Sequence, residues 1–312
     1  MARRTKPRSP TEPSEEGTPM EKLWNLKFRR ELSGWLFVLP MLLFFLAFVV
    51  YPILASIRSS LYSFNYVDYT FAGLDNYKQL LGDSLFWKAV WNTVVFVLYL
   101  VPSITVIALL LSVIIQLYPK KMQSFFKAAF YVPGVTSIVS LAMVWEYIYN
   151  NQFGMGNYVL KLLGLPSVNF LGSEYVYPSL TLILITISLG SAIVVFTAAL
   201  NGIPRDLYES ASLDGAPPTK VFFHITLPML KPSVLYVVVT STIASFQVFA
   251  IILLMTGGGP AYKTTTILML IYREAFVNMN FGIANAMGIM LCLLICLIAF
   301  VQFKLLKSDV EY

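Results

Sequence analysis

The sequence contains a single histidine, His224, and two cysteines, Cys292 and Cys296. It has no H-E-x-x-H, no Cys/His cluster, no G-x-S-x-G and no G-x-x-x-x-G-K-[ST], which excludes zinc-peptidase, serine-hydrolase and P-loop nucleotide chemistry carried by this chain. The nearest approach to a phosphate-binding loop is Gly257-Gly258-Gly259-Pro260-Ala261-Tyr262-Lys263-Thr264. Tyr262 stands where the second glycine belongs, and the segment reads as a plain loop. His224 has no second candidate ligand beside it and reads as a solvated or packing residue. Cys292 and Cys296 lie i, i+4 in an apolar run. They are expected to be buried free thiols, since Cys packs as a small hydrophobe; a metal or redox pair is the alternative. No metal site is expected. Charge is also scarce: 12% of residues are charged and 57% hydrophobic, against about a quarter charged and 45–50% apolar in soluble domains. A freely soluble enzyme and a disordered chain are both excluded.

What remains is apolar sequence in six runs: 35–55, 89–117, 125–149, 180–200, 233–256 and 282–303. Each reaches the ~20 residues needed to cross a bilayer as a helix. Pro40, Pro52, Pro102 and Pro133 mark expected kinks, which neighbouring helices make tolerable in lipid. The first run is too long and too far from the start for a cleaved signal peptide. Of the 22 Lys and Arg residues, 16 fall in the N-terminal tail, the connections after runs two and four, and the C-terminus. The positive-inside bias places those segments and both termini in the cytoplasm. The whole net charge of +6 lies on that side, which accounts for the basic balance without nucleic acid; no nucleic-acid motif is present.

The organisation expected is a cytoplasmic tail at 1–34, an all-α six-helix membrane domain at 35–303 and a short tail at 304–312. Residues 22–32, with Trp24 and Phe28, read as an interfacial amphipathic helix or a frayed basic tail. Ion-coupled transporters carry ionisable residues within their helices; here Glu146, in Trp145-Glu146-Tyr147-Ile148-Tyr149, is almost the only one, and it sits where an interfacial aromatic belt is expected.

The connection at 201–232 stands out. Pro204 suits a first helical turn, Leu207, Ala211 and Asp214 recur at helical spacing, and Gly215 is placed to stop the helix in a left-handed cap. Pro217 or Pro218 then opens a second helix, expected to end before Pro228. Glu209-Ser210-Ala211, Gly215 and Ile225-Thr226-Leu227-Pro228 together resemble the EAA loop of the permease subunits of ATP-binding-cassette importers. Ser210 is the one departure, small for small. Gly73-Leu74-Asp75-Asn76-Tyr77, Ala129-Phe130-Tyr131-Val132-Pro133, Ser245-Phe246-Gln247-Val248-Phe249 and Met255-Thr256-Gly257-Gly258-Gly259-Pro260 extend the resemblance to the maltose-type carbohydrate subfamily, on the side of the first of its two permeases. The extra N-terminal helices and large external domain of that maltose subunit are absent here.

The resemblance implies a type I importer permease with both termini inside a bacterial or archaeal cytoplasmic membrane. Its implied partners are the lipid bilayer, a second permease subunit, two cytoplasmic ATPase subunits that hold ATP and Mg, and an extracytoplasmic solute-binding protein; this chain binds no cofactor. Glu209, Ser210, Ala211, Asp214, Gly215, Ile225, Leu227 and Pro228 become candidates for ATPase coupling. A sugar pathway needs hydroxyl-matching groups in an apolar wall. Ser241 and Ser245, on one helical face, are the main candidates, followed by Gln247, Phe249, Gly190, Ser191 and Tyr147. Helix packing is the alternative for these small and polar residues, and an aromatic belt for Tyr147. The external stretch 150–178 reads as a compact loop, a contact for the binding protein or surface cover. Glycerol 3-phosphate or another polar solute is a rival substrate; a secondary transporter or channel, and a structural or sensory subunit, are rival classes.

Overall fold

A computed structural model describes residues 33–65 and 68–306; the expected interfacial helix at 22–32 lies outside them. The chain divides into two compact units after Ala55. Helix α1 runs from Ser33 to Ser59 and carries a wide π-type turn at Leu46–Val50. Pro52 follows that turn. A proline ring crowds the carbonyl four residues back and offers no N–H, and a widened turn is a common way for a helix to absorb such a break.

After the last turn of α1, the second unit continues with an antiparallel hairpin, β1 (Tyr62–Asn65) and β2 (Asp68–Phe71), with Tyr62 opposite Phe71. The short helix α2 (Asp75–Gly82) is tied back to the hairpin. Asn76 donates to the carbonyls of Ser60 (2.8 Å) and Tyr62 (3.0 Å), and the Tyr77 and Ser60 hydroxyls pair at 2.7 Å. Two of the residues in the Gly73–Tyr77 motif are thus staples. Helix α3 (Ser84–Gln116) is capped by the Asp83 side chain and runs unbroken through Pro102. Then come α4 (Lys120–Val135), α5 (Ile138–Ile148), α6 (Met155–Leu162), α7 (Val176–Gly202), α8 (Arg205–Leu213), α9 (Pro218–Met229), α10 (Lys231–Phe246), α11 (Ala250–Met255), α12 (Ile267–Tyr272) and α13 (Phe281–Leu306).

Helices α3 and α7 run parallel at the centre. The Tyr177 hydroxyl donates to Asn92 Oδ1 (2.7 Å) at one end, and Gln116 Nε2 donates to Asn201 Oδ1 (3.2 Å) at the other. Between them Phe96, Leu100 and Ile104 pack with Leu180, Ile183, Ile193 and Phe196, and Ile251 and Ile252 of α11 join the same cluster. Helix α4 crosses α7 at backbone range: a Cβ on Gly190 would run into the carbonyl of Phe130, and one on Gly134 would lie 2.9 Å from the carbonyl of Ile187. Lipid gives little hydrophobic reward for helix association, so close approach at small residues substitutes for it.

Among the described residues four helices are long and apolar enough to cross a membrane, six segments if each of two bent pairs counts as one. The chain is thus built for several crossings, but four of the expectations need correction. The third apolar run is two helices bent by 98° at Thr136–Ser137, a few residues after Pro133-Gly134, where a mere kink was expected. The fifth does not reach Thr256 as one helix: α10 ends at Phe246, and Phe249 (φ −143°, ψ −61°) separates it from α11. Helix α9 does not stop before Pro228 but passes it to Met229, with a π-type turn at Phe222–Thr226. After that wide turn Pro228 sits in what amounts to a fresh first turn, where its missing N–H costs little. The chain then bends by 65° into α10. Finally, Cys292 and Cys296 are exposed rather than buried, because the buried face of α13 ends at Leu291.

Gly190→Ala should destabilise the folded protein by about 1–3 kcal/mol through overpacking at the α4–α7 crossing. Gly288→Ala, where a Cβ meets nothing within 4 Å, should change stability by under ~0.5 kcal/mol. Thermal unfolding of the two variants in detergent checks the contrast.

Candidate functional site

Two features lie at different depths of the bundle. The first is the hairpin of α8 and α9. Gly215 adopts φ +68°. Its N–H donates to the Ser212 carbonyl (3.1 Å) and that of Ala216 to the Ala211 carbonyl (3.0 Å), the paired bonds of a glycine-terminated helix C-terminus. A Cβ at Gly215 would meet no atom, so the requirement there is conformational rather than spatial. The two helices are tied by Tyr208 and Thr226, whose hydroxyls lie 3.1 Å apart. Ala211 is buried on the inner face, while Glu209, Ser210 and Asp214 are exposed. Ile225, Leu227 and Pro228 are half-buried at the base of the hairpin. A cavity of about 490 Å³, lined by Gln116, Leu200, Tyr208, Val221, Phe222 and Thr226 among others, separates the hairpin from the ends of α3 and α7. The exposed Glu209–Asp214 edge is therefore presented outward on a stiff, capped support.

The second feature is a cavity of about 340 Å³ between α3, α7 and α10. Leu100, Ile104, Leu184, Ile187 and Val248 form its apolar wall, and Ser188, Ser191, Thr240, Ser241 and Ser245 its polar one. Among the described residues no charged side chain lines it. The Ser191 hydroxyl bonds the Ser188 carbonyl (2.9 Å) and that of Thr240 the Tyr236 carbonyl (2.7 Å). Among the described residues, the hydroxyls of Ser188, Ser241 and Ser245 have no protein partner. From Lys231, at the start of α10, to Ser245 is about 21 Å of helix, so one rigid element joins the bend below the hairpin to this cavity.

Residues 80–312 match the family described as "Binding-protein-dependent transport system inner membrane component". The chain belongs to that family. The permease is 32% identical over 285 residues to the lactose transport system permease protein LacF of Rhizobium radiobacter, a match covering 89% of this chain and 95% of the relative. It is 28% identical over 288 residues to the sn-glycerol-3-phosphate transport system permease protein UgpA of Escherichia coli, covering 91% and 97%. A chain from the crystal structure of a bacterial alginate ABC transporter in complex with an alginate pentasaccharide-bound periplasmic protein superposes with a TM-score of 0.78. That chain is 26% identical, and the match covers 93% of the permease and 100% of the other chain. The permease is therefore a membrane component of a binding-protein-dependent transport system and not an enzyme.

The fold distributes the candidate pathway residues unevenly. Ser191, Ser241 and Ser245 share the hydroxyl-lined cavity. Gln247 does not: it is exposed and lines a separate space with Gly288, Cys292 and Cys296. Gly190 is consumed by the contact with α4. Phe249 packs on Tyr272, with ring centroids 4.9 Å apart. Tyr147 is exposed beside Phe153 at 5.7 Å, whereas its neighbour Tyr149 is buried, stacks on Phe170 at 4.7 Å and donates to the Ser179 carbonyl. Ser188 and Thr240 line the cavity without having been singled out in the sequence. Their signal was available, since Ser188 stands three residues before Ser191 and Thr240 directly beside Ser241. In the stretch 150–178, Asn157 holds the loop closed by bonding both the N–H (2.8 Å) and the carbonyl (3.0 Å) of Val168.

Replacing Gly215 forces a side chain into the left-handed region at a cost of roughly 1 kcal/mol for alanine and less for asparagine. Protease cleavage within 205–226 should therefore accelerate in the order Gly215→Asn, then Gly215→Ala, relative to wild type, which a time course on the purified permease measures.

Proposed function

We propose that this permease forms half of the pathway of an ATP-driven, binding-protein-dependent importer, and that its solute is an uncharged carbohydrate. The observation that carries the reading is the set of three unpartnered hydroxyls, Ser188, Ser241 and Ser245, in a cavity without charge. A sugar offers hydroxyls to pair with them and CH faces for the Leu and Ile wall. The lactose protein to which the permease is similar supports an uncharged carbohydrate, whereas the alginate protein, whose polysaccharide is acidic, supports a carbohydrate without fixing its charge. Glycerol 3-phosphate is the second reading, favoured by the similarity to UgpA; a phosphate calls for Arg or Lys donors, and none lines the cavity.

In this reading six segments cross a bacterial or archaeal cytoplasmic membrane with both termini inside. A second permease subunit completes the pore, and a soluble binding protein delivers solute from the opposite side. ATP and Mg reside on two ATPase subunits, each receiving the hairpin of one permease. Exposed Glu209 and Asp214 meet the ATPase, Gly215 fixes the angle between α8 and α9, and the buried Ala211 with the half-buried Ile225, Leu227 and Pro228 carries displacement into α10. Ser210 sits beside Glu209 on the docking edge. ATP shifts the two-state equilibrium because the ATP-bound ATPase contacts the hairpin differently in the two states.

Proteoliposomes with the full subunit set and the loaded binding protein test this. Uptake should require ATP and survive an ionophore. Glu209→Lys should abolish uptake at wild-type membrane content. Paired Ser241→Val and Ser245→Val should lower it by about tenfold or more, as expected when hydroxyl-matching groups are withdrawn from a solute. Ionophore-sensitive, ATP-independent uptake would overturn the importer reading, and unchanged uptake by the paired valine variant would overturn the assignment of the cavity.

A further inference from the structure

The end of the bundle away from the α8–α9 hairpin carries a cluster of cations that the transport cycle described above does not use. The turn between α11 and α12 is held by basic side chains bonded to carbonyls: Lys88 Nζ donates to Ala261 (2.8 Å), Arg273 Nη2 to Gly257 (2.7 Å) and Lys263 Nζ to Ser173 (2.6 Å). The Arg273 guanidinium also lies 5.8 Å from the ring centre of Tyr262, and Lys263 Nζ lies 5.9 Å from that of Tyr177. Among the described residues none of the three cations has a carboxylate within ion-pair distance, and the ion pair formed is Lys78–Asp75. Glu274, next to Arg273 in sequence, accepts from Asn278 instead.

The turn itself is strained and displayed. Ala261 and Tyr262 adopt φ +47° and +59°, a region that costs an L-residue roughly 1–2 kcal/mol, and both are exposed, Tyr262 at 49%. Beneath them the segment is anchored by Asn92, which donates to the carbonyls of Tyr262 (2.8 Å) and Thr265 (2.9 Å), while Thr264, Thr265 and Thr266 are fully buried. A rigid support thus holds an exposed tyrosine out beside three positive charges without counter-charges. Tyr and Arg are the residue types that dominate interface energetics, and strain held this firmly points to use.

We propose that Lys88, Lys263, Arg273 and Tyr262 form the docking surface for an acidic patch on the solute-binding protein. The surface rests on the importer reading, which puts this end of the bundle outside the cytoplasm. Protein carboxylates fit it better than an anionic solute does, because the cavity deeper in the bundle offers no charge to receive one.

The test is binding-protein-stimulated ATP hydrolysis by the whole transporter in proteoliposomes, titrated with the sugar-loaded binding protein at two salt concentrations. For wild type, the half-saturating binding-protein concentration should rise about tenfold between 50 and 300 mM NaCl, as rim electrostatics weaken with screening. Lys88→Glu should raise it by roughly tenfold at low salt and Lys88→Gln by about threefold, both with a flattened salt response and unchanged unstimulated hydrolysis. Half-saturation that is unchanged in both variants overturns the docking surface. So does a variant effect seen only in the dependence on sugar concentration at saturating binding protein, which would assign the cations to the solute. A wild-type transporter whose hydrolysis ignores the binding protein overturns the importer reading itself, and the docking surface with it.

Discussion

Two helices in lipid gain little by hiding apolar surface from each other, because the lipid tails are equally apolar. The permease meets that constraint with backbone contact and hydroxyl bonds. Gly134 and Gly190 let α4 and α7 approach until no Cβ fits between them. Ser112 donates to the carbonyl of Ile193, Gln116 spans from α3 to Asn201, and Gln302 of α13 donates to Thr242 of α10 at 2.8 Å. With α7 fixed in this way against both α3 and α4, its Ser188–Ser191 edge is fixed too. The hydroxyl-lined cavity is what the central pair of helices and α10 leave between them.

The same economy explains the spacing of the functional parts. Helix α10 starts just past the 65° bend below the hairpin and delivers Thr240, Ser241 and Ser245 to the cavity. A displacement applied to the capped hairpin therefore reaches the hydroxyls through one helix rather than through a chain of loops. The break after Phe246 ends that lever beside the cavity: Thr266 Oγ1 donates to the carbonyl of Val248 (2.9 Å), and Val248 itself lines the wall. The strained turn at Gly257–Lys263 stands beyond that break, anchored by the buried Thr264, Thr265 and Thr266.

Local chemistry was the legible part. The apolar runs locate the long helices to within a few residues, and the glycine-capped end of α8 is the one its sequence dictates, because turn residues act over a few neighbouring bonds. The bends were not legible. Pro133 warns of a break but does not set 98°, which depends on how α4 and α5 each pack. Nor does a proline mark a helix end when a π-type turn precedes it, as Pro228 demonstrates. Gln247 lies apart from Ser245 for a local reason: two residues on is more than half a helical turn, and i, i+2 side chains do not face each other. The exposure of Cys292 and Cys296 could not be read from their apolar surroundings, since every face of a membrane helix is apolar whether it meets protein or lipid. The hairpin β1–β2 has the aromatic, alternating composition of strands, but it is short and lies beside a strong helical run.

The central claim is that the hydroxyl-lined cavity is the pathway and that the hairpin switches its access. The most direct measurement is labelling of Ser245→Cys, in a background with Cys292→Ser and Cys296→Ser, by a membrane-impermeant thiol reagent applied to one side of the reconstituted transporter at a time. The account predicts labelling from the cytoplasmic side without nucleotide and from the opposite side when the ATPase is trapped with ATP. Equal labelling from one side in both states would contradict it.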